Sequence, residues 1–453
     1  MPARASTRHY TAPPGTLIYG HHDAFVADKL GFLERTAREH GDIVPLRFGP
    51  IRFWLVTDPA LIGEVFTTRA ASFRKDIGLR RSRVLLGESL LTTDGAEHAR
   101  RSRIAQPSFR QKEVEHYADA MVEVARAVVD SWPDGGEIDL ARELTRLTLD
   151  VVARALFGAE VDGRAAQVGA AITELIGLLD ERVNRLVPIP LAIPTAANRR
   201  FNTAKTVLDD LVLDMIRARR GREPGAADDL LSRLLAARDP EGGHGLTDLQ
   251  LRDEVMTLFL AGHETTANAL AFTFYLLARH PEIAARVRAE VDATLAGGRP
   301  AEAHDLARLP LVSECFQESL RLYPPAWAMG REAAEPVDLG DGRLRVERGE
   351  IVITSPFVLH RDPRFWDEPL AFRPQRFAPD APRPAPFTYF PFGIGKRACI
   401  GRSFALLEGA LVTATILRRV DLEVDAPPDL PLTAFITLRP ANGLRARVRR
   451  RRV

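Results

Sequence analysis

The stretch FPFGIGKRACIG, residues 390–401, places Cys399 among three glycines, two basic residues and two phenylalanines. A helix-like run, residues 400–419, follows directly, so the sulfur is predicted to lie at or just before a helix N-terminus. Free backbone N–H groups and the positive end of the helix dipole are expected to lower the pKa of a thiol placed there. A thiolate in this position could be a nucleophile or a metal ligand.

Three roles compete for this cysteine. The only other cysteine, Cys315, lies in an amphipathic helical stretch and is predicted to be a small core residue. A structural cysteine would not need three surrounding glycines, and a nucleophile would need a base, whereas no histidine lies within thirty residues of Cys399. A single thiolate on haem iron needs one cysteine, a close-fitting loop and cations for the propionates.

The spacing Phe392-Gly393-x-Gly395-x-Arg397-x-Cys399-x-Gly401 resembles the haem-binding signature of the cytochrome P-450 superfamily, in its bacterial, soluble form. The resemblance implies that Cys399 is the metal ligand to the iron of haem b. It also implies that Arg397 pairs with a propionate and that Phe392 covers the sulfur. Gly393 and Gly401 would shape the cofactor-binding loop. The similarity extends over most of the chain.

The longest helical pattern, residues 247–280, begins at a predicted Thr247 cap and ends before Pro281. It is apolar on nearly every face in its middle and is predicted to be a central buried helix. Its AGHETT motif, residues 261–266, lacks the second histidine of a zinc helix, because position 267 is alanine.

This motif instead resembles the oxygen-activating stretch of the family. The resemblance implies that Ala261 and Gly262 let haem and O2 approach the helix backbone. Glu264 and Thr265 would form a catalytic proton relay, with the threonine hydroxyl directed back at a carbonyl one turn earlier. A surface acid beside a β-branched core residue is the alternative when the motif is taken alone.

Two further segments resemble family motifs. Glu318 and Arg321 share a helix face at i, i+3, and a downstream FRPQRF segment adds Arg376; the resemblance implies a buried structural trio. In residues 94–109, His98 matches a cofactor-binding position at the haem edge. Arg331 matches a further propionate position.

One position in residues 94–109 departs from the family pattern. Ser102 stands where the family has a basic residue, so Arg101 or Arg103 is expected to replace it.

Composition and organisation indicate a globular protein. The chain has 453 residues, 45% of them hydrophobic, with 62 Lys+Arg against 60 Asp+Glu, so no strong overall charge favours nucleic acid. The cysteine usage and the absence of a long apolar run predict a cytoplasmic protein without a membrane anchor. The predicted class is mainly α with a small β-rich lobe, with haem between the long central helix and the helix after the cysteine loop. A β-hairpin is predicted over residues 42–59.

The expected organisation is an irregular lead over residues 1–29, one domain over 30–449 and a basic tail over 450–453. A monomer is expected.

The implied activity is a haem-dependent monooxygenation of an apolar small molecule, for which a terpenoid of secondary metabolism is favoured. A macrolide or polyketide and a fatty acid are the alternatives, and a haem-thiolate binding or sensing protein is an alternative of another class. The predicted substrate-binding residues are Leu258, Ala261, Ala326, Trp327, Met329 and Phe435.

The chain shows no flavin, nicotinamide or ferredoxin-like segment, so a ferredoxin or flavodoxin with its reductase is expected to supply electrons. A basic docking patch is predicted from Lys396, Arg397, Arg402, Arg100, Arg101 and Arg103.

Overall fold

The computed structural model describes residues 10–158, 165–221, 229–239 and 241–451, and most of this chain is helical. The α-helices are α1 (His22–Ala27), α2 (Lys29–His40), α3 (Pro59–Gly63), α4 (Ile77–Arg81), α5 (Arg83–Leu86), α6 (Gly95–Ala105), α7 (Gln111–Glu115), α8 (Ala118–Asp130), α9 (Leu140–Val151), α10 (Ala165–Asn184), α11 (Ala196–Arg220), α12 (Leu230–Ala236), α13 (Asp248–Arg279), α14 (Pro281–Thr294), α15 (Pro310–Leu322), α16 (Pro356–Leu359) and α17 (Arg402–Arg419).

The strands are short and gather in a few small sheets. They are β1 (Ile43–Phe48), β2 (Ile51–Val56), β3 (Phe73–Lys75), β4 (Glu137–Asp139), β5 (Met329–Ala333), β6 (Val337–Leu339), β7 (Leu344–Val346), β8 (Ile351–Thr354), β9 (Val420–Val424), β10 (Leu432–Ala434), β11 (Leu438–Pro440) and β12 (Arg445–Arg450). The mainly helical class with a small β-rich lobe is therefore confirmed.

Helix α13 is the centre of the helical body. It begins at a capping box in which Thr247 and Gln250 exchange side-chain-to-backbone hydrogen bonds, and it ends before Pro281, as predicted. It packs against α9, α11, α15 and α17. Most of its residues are buried, so its stability comes from packing on several sides rather than from one amphipathic face.

The close contact between α13 and Val152, the residue directly after α9, depends on Gly262. A Cβ added to Gly262 would lie 3.0 Å from Cγ2 of Val152, which is tighter than side chains normally allow. The Thr148 hydroxyl also donates to the carbonyl oxygen of His263 across this contact (2.9 Å). Gly262 was expected, with Ala261, to let haem and O2 approach the helix backbone, and its missing side chain also makes room for Val152.

The largest sheet has five strands in the order β1-β2-β8-β5-β3. The predicted hairpin over residues 42–59 is confirmed as β1 and β2, paired antiparallel from Ile43–Val56 to Phe48–Ile51. Strand β8 adds in parallel to β2, and β5 adds antiparallel to β8. Strand β3 closes the edge with Lys75 directly opposite Arg331.

Both chain ends differ from the expected organisation. The predicted irregular lead contains α1, whose buried Phe25 stacks on Phe48 of β1 with ring centroids 4.9 Å apart. At the other end, Arg450 belongs to β12, and Arg451 forms an ion pair with Asp292 at 2.7 Å. The described part of the predicted basic tail is therefore held in the fold, because its charges find carboxylates on neighbouring helices.

Among the helices of the described residues, none has both the length and the apolar character needed to cross a membrane.

Candidate active site

The middle of α13 borders a space inside the molecule. Ala261 is exposed and Glu264 and Thr265 are half-exposed, although Phe259 and Thr266 beside them are buried. Burial nevertheless raises the pKa of the Glu264 carboxyl. Side chains that are reachable by solvent yet surrounded by protein atoms face an internal cavity, so this part of α13 forms one of its walls.

The cysteine loop is shaped by its glycines and its backbone hydrogen bonds. The Cys399 N–H donates to the carbonyl oxygen of Phe392 (2.7 Å), and the Ala398 N–H donates to that of Gly395 (3.0 Å). Gly395 has φ +69°, and an added Cβ would collide with the carbonyl oxygen of Phe66, so only glycine fits there. Gly401 lies beside the sulfur: an added Cβ would be 3.9 Å from Sγ of Cys399.

The thiol of Cys399 is exposed, yet burial raises its pKa, so it too faces an internal space. The Gly401 N–H offsets only part of that rise. The expectation that the helix terminus lowers this pKa is therefore not met in the chain alone, because burial of the thiol outweighs the hydrogen bond from the Gly401 N–H at the start of α17. A cationic metal centre would deprotonate such a thiol outright.

Four basic side chains converge beside the cysteine loop: Lys75, His98, Arg331 and Arg397, here called the cationic cluster. Burial and the neighbouring Arg397 and Arg331 lower the pKa of Lys75 to about 7. Burial, Lys75 and Arg397 lower the pKa of His98 to about 4. Burial and Arg397 lower the pKa of Arg331 to about 10, so this arginine is not an isolated surface residue.

The cationic cluster contains more positive charge than its carboxylates neutralise. Asp94 forms an ion pair with Arg397 at 2.6 Å and accepts from the backbone N–H of Lys75 at 3.1 Å. The Arg331 guanidinium lies 4.7 Å from the centroid of the Phe66 ring and donates to a backbone carbonyl. Buried like charges persist when an anion joins them, so this cluster suits a ligand with carboxylate groups.

Neither arginine expected to replace the missing basic residue at Ser102 reaches the cationic cluster. Arg101 is buried and pairs with Glu254 at 2.7 Å and with Glu97 at 2.6 Å. Arg103 pairs with Asp239 at 3.1 Å and with Glu241 at 3.0 Å. That expectation is wrong, because both arginines form ion pairs with acidic residues that are remote in sequence.

The predicted docking patch is smaller than expected for the same reason. Besides Arg101 and Arg103, Arg100 pairs with Glu97 at 2.9 Å, and Arg397 belongs to the interior cluster. Lys396 and Arg402 remain exposed beside the cysteine loop.

The residues present fit haem. One reachable thiol lies in a loop whose glycine leaves room around the sulfur, and an excess of cations stands next to that loop to receive two propionates. Among the described residues, no group of three or more His, Cys, Asp and Glu side chains could hold a metal ion. Cys399 would supply one thiolate to the haem iron.

On the α13 wall, the Thr265 hydroxyl donates to the carbonyl oxygen of Ala261 (2.8 Å), as its motif predicts. Glu264 accepts from the hydroxyl of Thr437 (2.7 Å). That hydroxyl also accepts from the side-chain amide of Asn268 (3.2 Å). The two relay candidates therefore lie on the open face of one helix, and the acid is held by a residue from the loop between β10 and β11.

The structural trio is brought together behind the cysteine loop. Glu318 and Arg321 are fully buried and paired at 2.7 Å, and Arg376 lies 3.4 Å from Glu318. Arg321 also donates to the carbonyl oxygen of His360 (2.7 Å). The His360 ring in turn accepts from the backbone N–H of Phe390, where the cysteine loop begins (3.0 Å). The pair thus supports the loop through one intervening residue.

The predicted substrate-binding residues divide into two groups. Ala261 faces the cavity, Ala326 is half-buried, and the Met329 sulfur would lie 3.8 Å from a Cβ on Gly393 of the cysteine loop. Leu258 and Trp327 are buried in the core. The Trp327 indole N–H donates to the carbonyl oxygen of Phe435 (2.8 Å), so the tryptophan anchors a loop rather than lining a pocket.

Sequence reasoning missed two residues of the site. Strand alternation could have found Lys75, since β3 buries Phe73 and Lys75 on one face and leaves Arg74 on the other. Thr437 lies in the segment 433–438, but no local pattern connects its hydroxyl to an acid 173 residues earlier.

Comparisons with known proteins agree with this geometry. Residues 12–444 match the Cytochrome P450 family. The chain is 37% identical to cyclooctatin synthase of Streptomyces melanosporofaciens, over 92% of this chain and 91% of that protein. It is 35% identical to pentalenene oxygenase of Streptomyces avermitilis, over 97% and 96% of the two chains. A crystal structure of the cytochrome P450DA heme domain superposes with a TM-score of 0.88 at 31% identity, covering 98% of both chains.

The fold and site define a haem-thiolate enzyme. The chain belongs to the cytochrome P450 family, and it is a haem b-dependent monooxygenase that needs a redox partner and takes hydrophobic substrates.

Proposed function

We propose that this protein oxidises a terpenoid in secondary metabolism. The observation that carries the proposal is the similarity, over nine-tenths or more of the chain, to cyclooctatin synthase and pentalenene oxygenase, which are terpenoid-modifying enzymes. The apolar side chains near α13 support it, because an apolar, rigid skeleton gains about 25 cal/mol for each Å² of apolar surface that is buried.

Cys399 would hold the haem iron, and Lys75, Arg331 and Arg397 would receive the propionates. Neutral His98 could donate a further hydrogen bond from its ring. Activation of O2, with transfer of one oxygen atom to substrate and reduction of the other to water, is the chemistry that haem supplies when bound. Phe392 would cover the sulfur and limit the access of water to it.

Glu264 and Thr265 would manage protons at the α13 wall. Burial raises the pKa of Glu264, which favours its protonated, proton-donating form. The Thr265 proton is held by the Ala261 carbonyl, so its oxygen lone pairs are free to accept a hydrogen bond from a donor in the cavity. The acid would supply protons, and the hydroxyl would orient the donor that passes them on.

The electron donor in this proposal is a ferredoxin, or a flavodoxin, with its reductase. An acidic donor surface would meet exposed Lys396 and Arg402 beside the cysteine loop. A cytoplasmic, monomeric protein is part of the proposal and rests on the composition of the sequence.

The substrate class is tested by titrating the ferric protein with sesquiterpenes and diterpenes, medium-chain fatty acids and macrolactones, and following the low-spin to high-spin shift. We expect terpenoids to give the shift and, with a surrogate ferredoxin and reductase, to yield oxygenated products. A shift with fatty acids or macrolactones alone would overturn the terpenoid assignment. Ligand-induced shifts without NADPH-dependent product from any ligand would favour a binding or sensing protein.

The ligand assignment has its own test. The reduced protein with carbon monoxide should show the red-shifted Soret band of thiolate ligation, and Cys399→Ala should lose it. Cys315→Ala is the matched control, because its thiol is buried in the core and should leave the band unchanged.

A further inference from the structure

The hydroxyl of Thr437 lies between two side chains of α13 that are one helical turn apart. It donates to Oε1 of Glu264 (2.7 Å) and accepts from Nδ2 of Asn268 (3.2 Å). Thr437 and Asn268 are both buried, at 6% and 7% exposure. In the described chain, the Thr437 hydroxyl makes the one side-chain hydrogen bond to the Glu264 carboxyl.

The number of available hydrogen-bond donors determines which carboxyl oxygen of Glu264 accepts and which carries the proton. A hydroxyl has one proton, and an amide NH2 group can only donate. Because Asn268 donates to Oγ1 of Thr437, the threonine proton is left for Oε1 of Glu264. Oε1 therefore acts as an acceptor whether or not the acid is protonated, and the exchangeable proton belongs to the other oxygen, Oε2.

The position of the Thr437 hydroxyl is set by the loop that joins β10 and β11. The Thr437 carbonyl accepts from the Phe435 N–H (3.1 Å), and the Leu438 N–H donates to the Pro325 carbonyl (2.9 Å). The Trp327 indole N–H donates to the Phe435 carbonyl (2.8 Å). Between these anchors, Ile436 at the loop tip is 44% exposed and is free to meet a ligand.

We propose that Thr437 is a positioning residue for Glu264, and that it connects the orientation of this acid to the loop that carries Phe435 and Ile436. Asn268 fixes the direction of the Thr437 hydroxyl, and the hydroxyl fixes which carboxyl oxygen exchanges its proton. The inference rests on the proposed proton relay of Glu264.

The test compares Thr437→Val, which keeps the shape and loses the hydroxyl, with Thr437→Ser, which keeps it. The first readout is the infrared stretch of the Glu264 carboxyl or carboxylate group in the ferric holoprotein without substrate, identified by its loss in Glu264→Gln. The second is product formed per NADPH consumed. We expect Thr437→Val to shift the band and to lower the product ratio about tenfold, less than the ~100-fold or more that a general acid itself contributes. Thr437→Ser should keep both the wild-type band position and the wild-type product formed per NADPH.

Thr294→Val is the matched control, because Thr294 is also 6% exposed and its hydroxyl makes one hydrogen bond, to the Arg308 carbonyl (3.0 Å). It should change neither readout. Asn268→Ala frees the Thr437 proton, so it should shift the band by a smaller amount and show no added effect in the double variant with Thr437→Val.

An unchanged Glu264 band in Thr437→Val would overturn the positioning role, as would a Thr437→Ser variant that behaves like Thr437→Val. If Thr437→Val does not fold, an unshifted band in Asn268→Ala overturns it equally. The infrared readout needs no turnover, so failure of the wild-type protein to form product would refute the proposed function without deciding this inference.

Discussion

Lys75 on β3 and Arg331 on β5 are directly opposite each other across the edge of the largest sheet. Like charges in this register repel, and burial lowers the pKa of both side chains, to about 7 and about 10. Asp76 and Asp94 lie near both, but Asp76 accepts from backbone N–H groups at the start of α4 and Asp94 pairs with Arg397. The arrangement is unfavourable within the chain and becomes favourable when carboxylates such as the haem propionates lie between the cations.

Lys75→Met should therefore have opposite effects on the haem-free and haem-loaded protein. Removing one cation should stabilise the haem-free protein by about 1 kcal/mol. It should speed the transfer of haem to an apomyoglobin acceptor about tenfold, since a charge-assisted hydrogen bond contributes about 1.5–3 kcal/mol. Urea unfolding and haem transfer measure the two effects. Equal destabilisation of both forms would contradict a role in propionate binding.

The same lysine predicts a pH dependence. Its pKa is about 7 in the folded, haem-free chain and 10.5 when unfolded. Between these values the unfolded state binds more protons, so the Lys75 contribution to stability rises with pH. Lys75→Met should flatten this part of the stability curve, while Lys112→Met, at an exposed position on α7, should leave the slope unchanged.

Thr265→Ala should keep haem and substrate binding and lower the product formed per NADPH, with the lost reducing equivalents recovered as hydrogen peroxide. The physical reason is the loss of the one hydroxyl on the open face of α13 that can orient a proton donor. Thr273→Ala is the control, since this buried hydroxyl two turns later makes the same bond to a backbone carbonyl (2.8 Å). Unchanged product formed per NADPH in Thr265→Ala would contradict the proton relay.

Arg321→Ala should give little haem-loaded protein. It leaves the buried Glu318 carboxylate without its partner and removes the bond to the His360 carbonyl behind the cysteine loop, at a cost of about 3–5 kcal/mol. The yield of holoprotein and its urea midpoint measure this. Arg217→Ala breaks an exposed pair with Asp214 at the same i, i+3 spacing and should cost less than about 1 kcal/mol. Similar losses in both variants would argue against a special role of the buried pair.

Glu408→Gln should stabilise the protein, and increasingly so as pH rises. Glu408 on α17 is fully buried, and this burial raises its pKa well above 4.5, an effect that the neighbouring Thr266 hydroxyl offsets only in part. Above that pH the unfolded carboxyl ionises while the folded one keeps its proton. The free energy of unfolding of the wild type therefore falls by about 1.4 kcal/mol per pH unit until the folded Glu408 carboxyl also titrates.

Unfolding free energies of wild type and Glu408→Gln at pH ~5.5 and pH ~8 test this sign. Exposed Glu115→Gln is the control and should show no such trend. A stabilisation that is the same at both pH values would contradict the titration argument and leave only a packing effect.

Local signals account for the features that were predicted correctly. The Thr247 cap and Pro281 determine where α13 begins and ends through hydrogen bonds within a few residues. The hairpin follows from two strand patterns around Gly49 and Pro50. The spacing around Cys399 is a contiguous motif, and the family follows from it. In each case the interacting groups are neighbours in the chain, so their order is enough to predict their geometry.

Tertiary structure decided which charged and polar side chains meet. It also decided which neighbouring residue a helix glycine packs against. Arg101 reaches Glu254 and Thr437 reaches Glu264 across more than 150 residues, and Lys75 enters the cationic cluster only because β3 pairs with β5. Gly262 faces Val152, the residue directly after α9, which no helical pattern of α13 alone could show. The amino-acid sequence alone thus determined the family, the cofactor and the central helix. The packing determined the partners of each buried ion, because long-range electrostatics and helix contacts depend on distances in space rather than on separation along the chain.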